Sequence, residues 1–250
     1  MSIGLLCAIP PEWRHLHDAM AGVAVERVGP FAFARGRLDA HDVVLVQAGI
    51  GKVNTAMVAT LLQQRFDARI VLFSGVAGGL DPALSIGDVV IGTRTFQHDA
   101  GVVQDGRFEA YQAGHVRFFN PTDRWGYASS PALVAKAEAA LDGLVLPPLS
   151  QAAGGHGAAP KIVFGAVASG DQYVHCEATR VRLHEDFGAH AVEMEGGALG
   201  QVGEALGFDW LDIRALSDLA GSSSAIDFGA FVDEVAASSA LILRRLLPAL

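Results

Sequence analysis

The sequence predicts an α/β protein in which helices wrap a sheet. Three observations carry that prediction. Short aliphatic or β-branched runs alternate with helix-patterned stretches, the same rhythm resumes after each irregular segment, and glycine-rich or acidic clusters recur just past the strand-like runs. Of the 250 residues, 51% are hydrophobic and 18% charged, which suffices for a substantial core and is not a disordered composition.

Residues 3–8 read as a buried first strand, and residues 12–20 as a helix opened by Pro10-Pro11, since a helix tolerates proline in its first turn. Residues 31–38 and 42–47 read as a hairpin joined through Asp39-Ala40-His41. Residues 52–66 are good helix formers, with Val53, Met57, Leu61 and Leu62 at helical spacing. Further strands are expected at 70–73, 89–93, 162–168, 191–193 and 210–215. The last helix is the clearest, because Phe228, Phe231, Val235, Leu243 and Leu246 lay one apolar stripe against a core.

Two segments break the rhythm. Residues 100–129 are polar and aromatic without a period, which points to a long functional or interface loop. Residues 142–161 contain Pro147-Pro148 and Gly154-Gly155-His156-Gly157, which read as a flexible excursion. Patterning resumes afterwards with the same character. The expectation is one domain over 1–250, with irregular insertions near 100–129 and 142–161 and no internal repeat.

Acidic residues outnumber basic ones by 27 to 18, a formal net charge of −9. That balance argues against a nucleic-acid surface and against a polybasic membrane patch. Cys7 and Cys176 cannot build a disulfide framework and fit a reducing compartment. The first 13 residues lack a basic leader, and no apolar run approaches the roughly 18 residues that span a bilayer, so a cytoplasmic location is expected. His15 and His17 are two apart on a predicted helix and do not face together, and His175-Cys176-Glu177 has no second spaced cluster. Neither a metal nor a cofactor is expected.

Gly49-Ile50-Gly51-Lys52 follows a strand and opens a helix, a natural place for a ligand to approach the backbone. It is no phosphate-binding P-loop, because Val46 stands where the first glycine must be, and no dinucleotide fingerprint, because Asn54 stands where the third belongs. Ser74-Gly75-Val76-Ala77-Gly78-Gly79 reads on spacing alone as a tight turn. Taken together, Pro10-Pro11-Glu12, the cluster 75–79, Glu193-Met194-Glu195 and Ser217-Asp218 all sit just past predicted strands, where open α/β sheets collect ligands.

These residues carry a resemblance. Ile3-Gly4 with Glu12, Gly49 to Val53, Gly75 to Gly79 with Gly87-Asp88-Val89-Val90, Ser169-Gly170-Asp171, Val192 to Glu195 and Arg214 to Asp218 together resemble the nucleoside phosphorylase superfamily, and within it the branch of nucleosidases acting on 5′-thio-substituted adenosines. Only residues 100 to 160 or so fall outside the match. The resemblance implies a three-layer α/β/α sandwich around a mixed, partly closed sheet. It also implies hydrolysis of the N-glycosidic bond of 5′-methylthioadenosine or S-adenosylhomocysteine, with no cofactor, in a homodimer.

The implied roles follow the chemistry. Adenine leaves readily only when a proton reaches N7, and Asp218, oriented by Ser217, matches the acid. Positive charge develops near C1′ of the sugar, and Glu195 matches the residue that grips the ribose hydroxyls, with Met194 against the sugar face. If that segment is extended, Glu193 shares the face of Glu195 and supports it. Glu12 matches the base that activates water, and Arg214 is a charged partner for Glu12 or Glu195. Tyr173 is expected to stack on adenine beside the backbone of Val174. Ile9, Ile50 and Phe228 are expected as apolar walls, and Val76, Ala77 and Gly78 as substrate contacts, with Val76 where relatives often carry serine. Gly221 stands where an acidic residue is common. Phe108, Tyr111 and Phe118 are candidates for closing the thioether pocket of a neighbouring subunit.

Taken singly, each residue also has a plain structural reading. Glu12 suits a first helical turn, Asp218 a helix cap and Arg214 a buried ion pair. Rival functions are a phosphate-dependent phosphorylase, a nucleosidase for another purine nucleoside such as futalosine, and a binding protein without chemistry. Ile70 to Ser74 offers no arginine for phosphate, which favours water.

Overall fold

β1 (Ser2–Cys7) alternates its side chains between two cores, and the whole molecule is organised by that alternation. Leu5 and Cys7 face one core and Leu6 and Ala8 the other, as the period of two requires. The protein is described from a computed structural model, in which residues 2–150 and 157–250 are described. After β1 come α1 (Pro10–His17), β2 (Met20–Val28), β3 (Phe31–Leu38), β4 (His41–Gln47), α2 (Lys52–Phe66), β5 (Ala68–Gly79) and β6 (Val89–Gln97). β7 (Gly101–Gln104), β8 (Arg107–Ala110), β9 (Tyr127–Ala128), α3 (Pro131–Leu141) and β10 (Ile162–Ser169) follow. The chain continues through α4 (Glu177–Phe187), β11 (Ala189–Glu193), α5 (Gly196–Leu206), β12 (Asp209–Asp218) and α6 (Ser224–Leu246).

The main sheet runs β11-β10-β6-β12-β5-β1-β4-β3-β2, with β9 beside β6. β1 pairs in parallel with β4 and β5, whereas β3 is antiparallel to both β2 and β4, so the sheet is mixed. An additional antiparallel contact between β11 and β5, Ala191 opposite Gly79 and Val192 opposite Gly78, closes β11, β10, β6, β12 and β5 into a ring. Leu16 of α1, Leu133 of α3 and Leu243 of α6 cover one face. Val58 and Leu62 of α2 with Leu199 of α5 cover the other. The result is the three-layer α/β/α sandwich around a partly closed mixed sheet that the resemblance implies.

Several elements differ from the sequence-based expectation. The stretch 74–79 is not a turn: β5 continues through it. Its glycines are needed for close approach rather than for unusual dihedrals, since a Cβ on Gly78 would lie 3.0 Å from Asp218 Oδ1 and one on Gly79 would lie 3.0 Å from Leu216 Cδ1. β12 likewise runs on to Asp218. The expected first helix stops at His17, and Met20 opens β2, whose largely exposed residues lack the apolar alternation that reveals a strand. Residues 100–129 contain a hairpin, β7 and β8, turned at Asp105-Gly106 with both residues at positive φ, as a two-residue turn of that kind requires. In 142–161, neither 142–150 nor 157–161 forms a helix or strand, and Gly154-Gly155-His156 lies outside the described residues. Among the described residues no helix is long and apolar enough to cross a membrane.

Candidate active site

The carboxyl ends of β1, β5, β11 and β12 meet around one cavity of about 240 Å³. Glu12 reaches it from the first turn of α1, Val76, Ala77 and Gly78 from the last residues of β5, and Ser217 and Asp218 from the end of β12. Glu193 ends β11, and Glu195 sits two residues on, just before α5. This is where mostly parallel sheets place ligands, because strand ends there pass into loops and helix N-termini.

Glu12 is buried and held by three backbone donors. Ala8 N and Ile9 N donate to Oε2 at 2.7 and 3.0 Å, and Val76 N donates to Oε1 at 3.0 Å. The contact to Ile9 also caps α1, so the plain structural reading of Glu12 and the functional one describe the same contacts. Burial pushes the Glu12 carboxyl above its ordinary value, against the lowering effect of Arg214 and the three N–H groups.

Glu195 is gripped from two sides. Gly51 N donates to Oε1 at 2.8 Å, and Arg214 Nη1 lies 3.3 Å from Oε2. Burial, assisted by the Glu193 charge and opposed by Arg214, pushes its carboxyl up to about 8. The segment is not extended through 195, so Glu193 and Glu195 do not share a strand face. The chain turns instead, and Glu193 Oε2 accepts the N–H groups of Glu195 and Gly196, both at 2.7 Å. Glu193 thereby satisfies the first donors of α5, while Ser169 Oγ donates to its Oε1.

Arg214 is buried at 1% exposure and contacts neither Glu12 oxygen closely enough to form an ion pair. Its Nη2 is 2.6 Å from Glu193 Oε2, its Nε donates to Asp212 Oδ1 at 2.6 Å, and its plane lies 4.0 Å from the Phe73 ring centroid. A Cβ on Gly75 would fall 2.6 Å from Arg214 Nη1 and 3.1 Å from Glu12 Oε1, so glycine leaves room for both groups. Although burial works against its charge, the surrounding carboxylates raise Arg214 further above its usual value.

Asp218 is the last residue of β12 and does not cap a helix. Ala220 N donates to its Oδ1 at 2.8 Å and Ser217 Oγ to its Oδ2 at 3.0 Å. Tyr173 is half exposed and stands edge-on to Phe228, centroids 6.4 Å apart. Both line the cavity, as do Ile9, Ile50 and Met194. Val174 does not. Its side chain is buried with Leu80, Phe96 and Val192, although the expectation for it concerned the backbone. Of the aromatic candidates in 100–129, Phe108 and Phe118 are exposed, and Tyr111 accepts Thr122 N and donates to Thr122 O through its hydroxyl.

The sequence reading missed Ala8 and Val192 in the cavity wall and Asp212 behind it. It also missed a strap beside the Gly49–Lys52 segment. Lys52 Nζ lies 2.6 Å from Asp99 Oδ1, Asp171 N donates to Asp99 Oδ2 at 2.9 Å, and Lys52 N donates to Asp171 Oδ1 at 2.9 Å. Burial pushes Asp99 up, but Lys52 and the Asp171 N–H outweigh it and leave the carboxyl below its ordinary value. Three acidic or basic residues spread over 119 positions give no local signal. Asp212 had one: it stands two before Arg214 on a strand, hence on the same face.

Among the described residues no group of three or more His, Cys, Asp or Glu side chains is placed to hold a metal ion. Arg214 is the sole cation in the cavity wall among them, and carboxylates already occupy it.

Residues 2–248 match the sequence model of the phosphorylase superfamily. A 5′-methylthioadenosine/S-adenosylhomocysteine nucleosidase from Mycobacterium tuberculosis is 52% identical over 250 residues, covering 100% of this chain and 98% of that protein. The nucleosidase of the same name from Neisseria meningitidis, solved in complex with methylthio-immucillin-A, is similar with a TM-score of 0.83 and 29% identity, covering 100% and 99% of the two chains. Futalosine hydrolase of Helicobacter pylori is similar with a TM-score of 0.82 and 28% identity, covering 100% and 98%.

Proposed function

The chain belongs to the phosphorylase superfamily, and on that premise we propose that Glu12, Glu195 and Asp218 carry out its reaction. The protein is an N-glycosyl hydrolase that cleaves 5′-methylthioadenosine and S-adenosylhomocysteine to adenine and the 5′-thio-substituted ribose. The observation that supports the assignment of residues is the convergence of three buried carboxyl groups on one cavity.

Asp218, aimed by Ser217 and Ala220, gives its proton to N7 of the base, which turns adenine into a neutral leaving group. Glu195, fixed between Gly51 and Arg214, accepts hydrogen bonds from the ribose hydroxyls and stabilises the cationic sugar as the bond lengthens. Glu12, with a carboxyl that burial makes more basic than usual, accepts a proton from the attacking water. Met194 packs on the sugar, and Tyr173 with Phe228 encloses the base. Ile9 and Ile50 face the thioether arm. Val76 contributes its N–H to Glu12 and no hydroxyl to the ligand.

Water rather than phosphate is the nucleophile in this reading, since the cavity's guanidinium is already neutralised and no other cation among the described residues faces the ligand. The chain folds as one domain and acts in the cytoplasm as a homodimer. Val53 and Met57, four apart on α2 and exposed, offer an apolar strip for the second copy next to Ile50 at the mouth.

The purified protein is incubated with methylthioadenosine with and without phosphate. Free 5′-methylthioribose in both arms supports the reading, and a sugar phosphate formed only with phosphate overturns it. An inosine-type nucleoside in parallel separates this activity from that of the futalosine hydrolase relative.

A further inference from the structure

Asp212 is the one carboxyl of the Arg214 cluster that does not line the cavity. It is 0% exposed, its Oδ2 has no hydrogen-bond partner among the described residues, and its Oδ1 accepts from Arg214 Nε at 2.6 Å. Its sheet neighbours are Phe73 on β5 and Gly92 on β6, and α5 brings Gly196 against it. None of the three carries a polar side chain. A carboxyl in so dry a place destabilises a fold unless its partner makes use of it, and the partner in reach is Arg214.

That guanidinium has three fixed points: the Phe73 ring below its plane, Glu193 at Nη2 and Asp212 at Nε. Its remaining end, Nη1, lies 3.3 Å from both Glu195 Oε2 and Val76 O. Where Nη1 points is therefore set by the other three contacts. Gly196 completes the arrangement. It directly follows Glu195, and a Cβ there would fall 2.3 Å from Asp212 Oδ2 and 3.1 Å from Glu193 Oε1, so the severe clash of a side chain at 196 is with Asp212.

We propose that Asp212 is a positioning residue: it aims Arg214 at Glu195, and Gly196 is the residue that makes room for it. The proposal rests on the reading of Glu195 as the ribose-gripping group. Asp212 touches no substrate, and its effect passes through Arg214 to the orientation of Glu195.

The test is steady-state hydrolysis of methylthioadenosine by wild type, Glu195→Gln, Asp212→Ala, Asp212→Asn, Gly196→Ala and the double variant Asp212→Ala/Gly196→Ala, with a melting curve for each. Wild type and Glu195→Gln come first, because wild-type kinetics in Glu195→Gln is failure of the reading of Glu195 and not of this one. Asp212→Ala is expected to raise KM on the order of tenfold or more with a smaller change in kcat, as misaimed contacts do. Asp212→Asn keeps an acceptor for Nε and is expected to hold KM within about threefold of wild type. Gly196→Ala displaces Asp212 without removing any polar group, and it is expected to reproduce the KM rise although alanine favours a helix more than glycine. In the double variant the two effects do not multiply, because the 2.3 Å clash with Asp212 is gone and only the 3.1 Å approach to Glu193 Oε1 remains. Wild-type KM in Asp212→Ala, lowered melting temperature with KM unchanged, or multiplying losses in the double variant would each overturn the proposal. If Asp212→Ala does not fold, Asp212→Asn and Gly196→Ala still decide it: wild-type KM in Gly196→Ala overturns it, and a raised KM there with near-normal KM in Asp212→Asn supports it.

Discussion

Gly51 and Glu195, 144 positions apart, are joined by a backbone N–H on a carboxylate oxygen at 2.8 Å. The bond holds Glu195 on the side opposite Arg214, so its two oxygens answer to two separate elements, the start of α2 and the strand β12. Gly51 has φ +102° and ψ 162°, a region essentially reserved for glycine, and a Cβ there would lie 3.0 Å from Asp171 Oδ1.

Gly51→Ala is expected to lose about 1–3 kcal/mol of stability from backbone strain alone. It is also expected to raise KM for the nucleoside, because the donor to Glu195 moves. Chemical denaturation read beside steady-state kinetics checks both. An unchanged KM would mean that Glu195 is set without Gly51.

Lys52→Met breaks the strap at its centre. Asp99 then keeps the Asp171 N–H but loses its cation, and the N-terminus of α2 is left with the Asp171 contact at Lys52 N and the Glu195 contact at Gly51 N. The expected outcome is a KM raised severalfold with kcat largely retained, a pattern of weakened binding and not of lost chemistry. Substrate titrations of wild type and variant over one salt series check it.

Asp218→Asn is the cleaner of the two acid-base variants. Ala220 N still finds an oxygen, and the Ser217 hydroxyl can turn to accept from the new amide. Turnover is expected to fall by about 10²–10⁴ with the melting temperature little changed. Glu12→Gln is expected to lose turnover comparably and to melt lower as well. Three backbone N–H groups point at the two Glu12 oxygens, and an amide NH₂ must face at least one of them.

The buried acids also fix how stability depends on pH. Glu195 is pushed up to about 8 from an ordinary 4.5 and Asp212 to about 7 from 3.8, with burial the first cause in each. The folded protein therefore binds more protons than the unfolded chain between those values. The contribution is complete below the unfolded pKa values and is lost as pH rises through the folded ones. Melting temperature is expected to fall from pH 5 to about 8.5, and less steeply in Asp212→Asn, which removes one of the groups. A melting temperature that climbs across that window would contradict the upward shift of these two groups.

Much of the site was readable because its residues lie where strands end, and strand ends are marked by runs such as 3–8 giving way to Pro10-Pro11. α2 was legible to the residue, 52–66, because it is built of good helix formers between Gly51 and Asp67, although the side it buries is that of Thr55, Val58, Ala59 and Leu62, and Val53 and Met57 of the expected stripe are exposed. What escaped was non-local. β5 looked like a turn at 74–79 because glycine serves tight turns and close packing equally, and only the side chains of Arg214, Asp218 and Leu216 on β12 decide between them. β2 escaped because an edge strand exposed to solvent needs no apolar alternation. The expected strand at 191–193 ends where β11 does, and Glu193 is the supporting polar group expected; only the condition that the segment stay extended as far as Glu195 fails. α5 begins there, and its first N–H groups claim Glu193.

The seam between β11 and β5 gives all this a developmental reading. Gly78 and Gly79 meet Val192 and Ala191 across more than a hundred residues of chain, and the triad straddles that join: Glu12 binds Val76 at the head of it, and Glu195 follows directly from its other edge. Until that pair is zipped, the strand end that binds Glu12 is not fixed against the one that leads into Glu195. Turnover during refolding is therefore expected to appear no earlier than the closing of the ring.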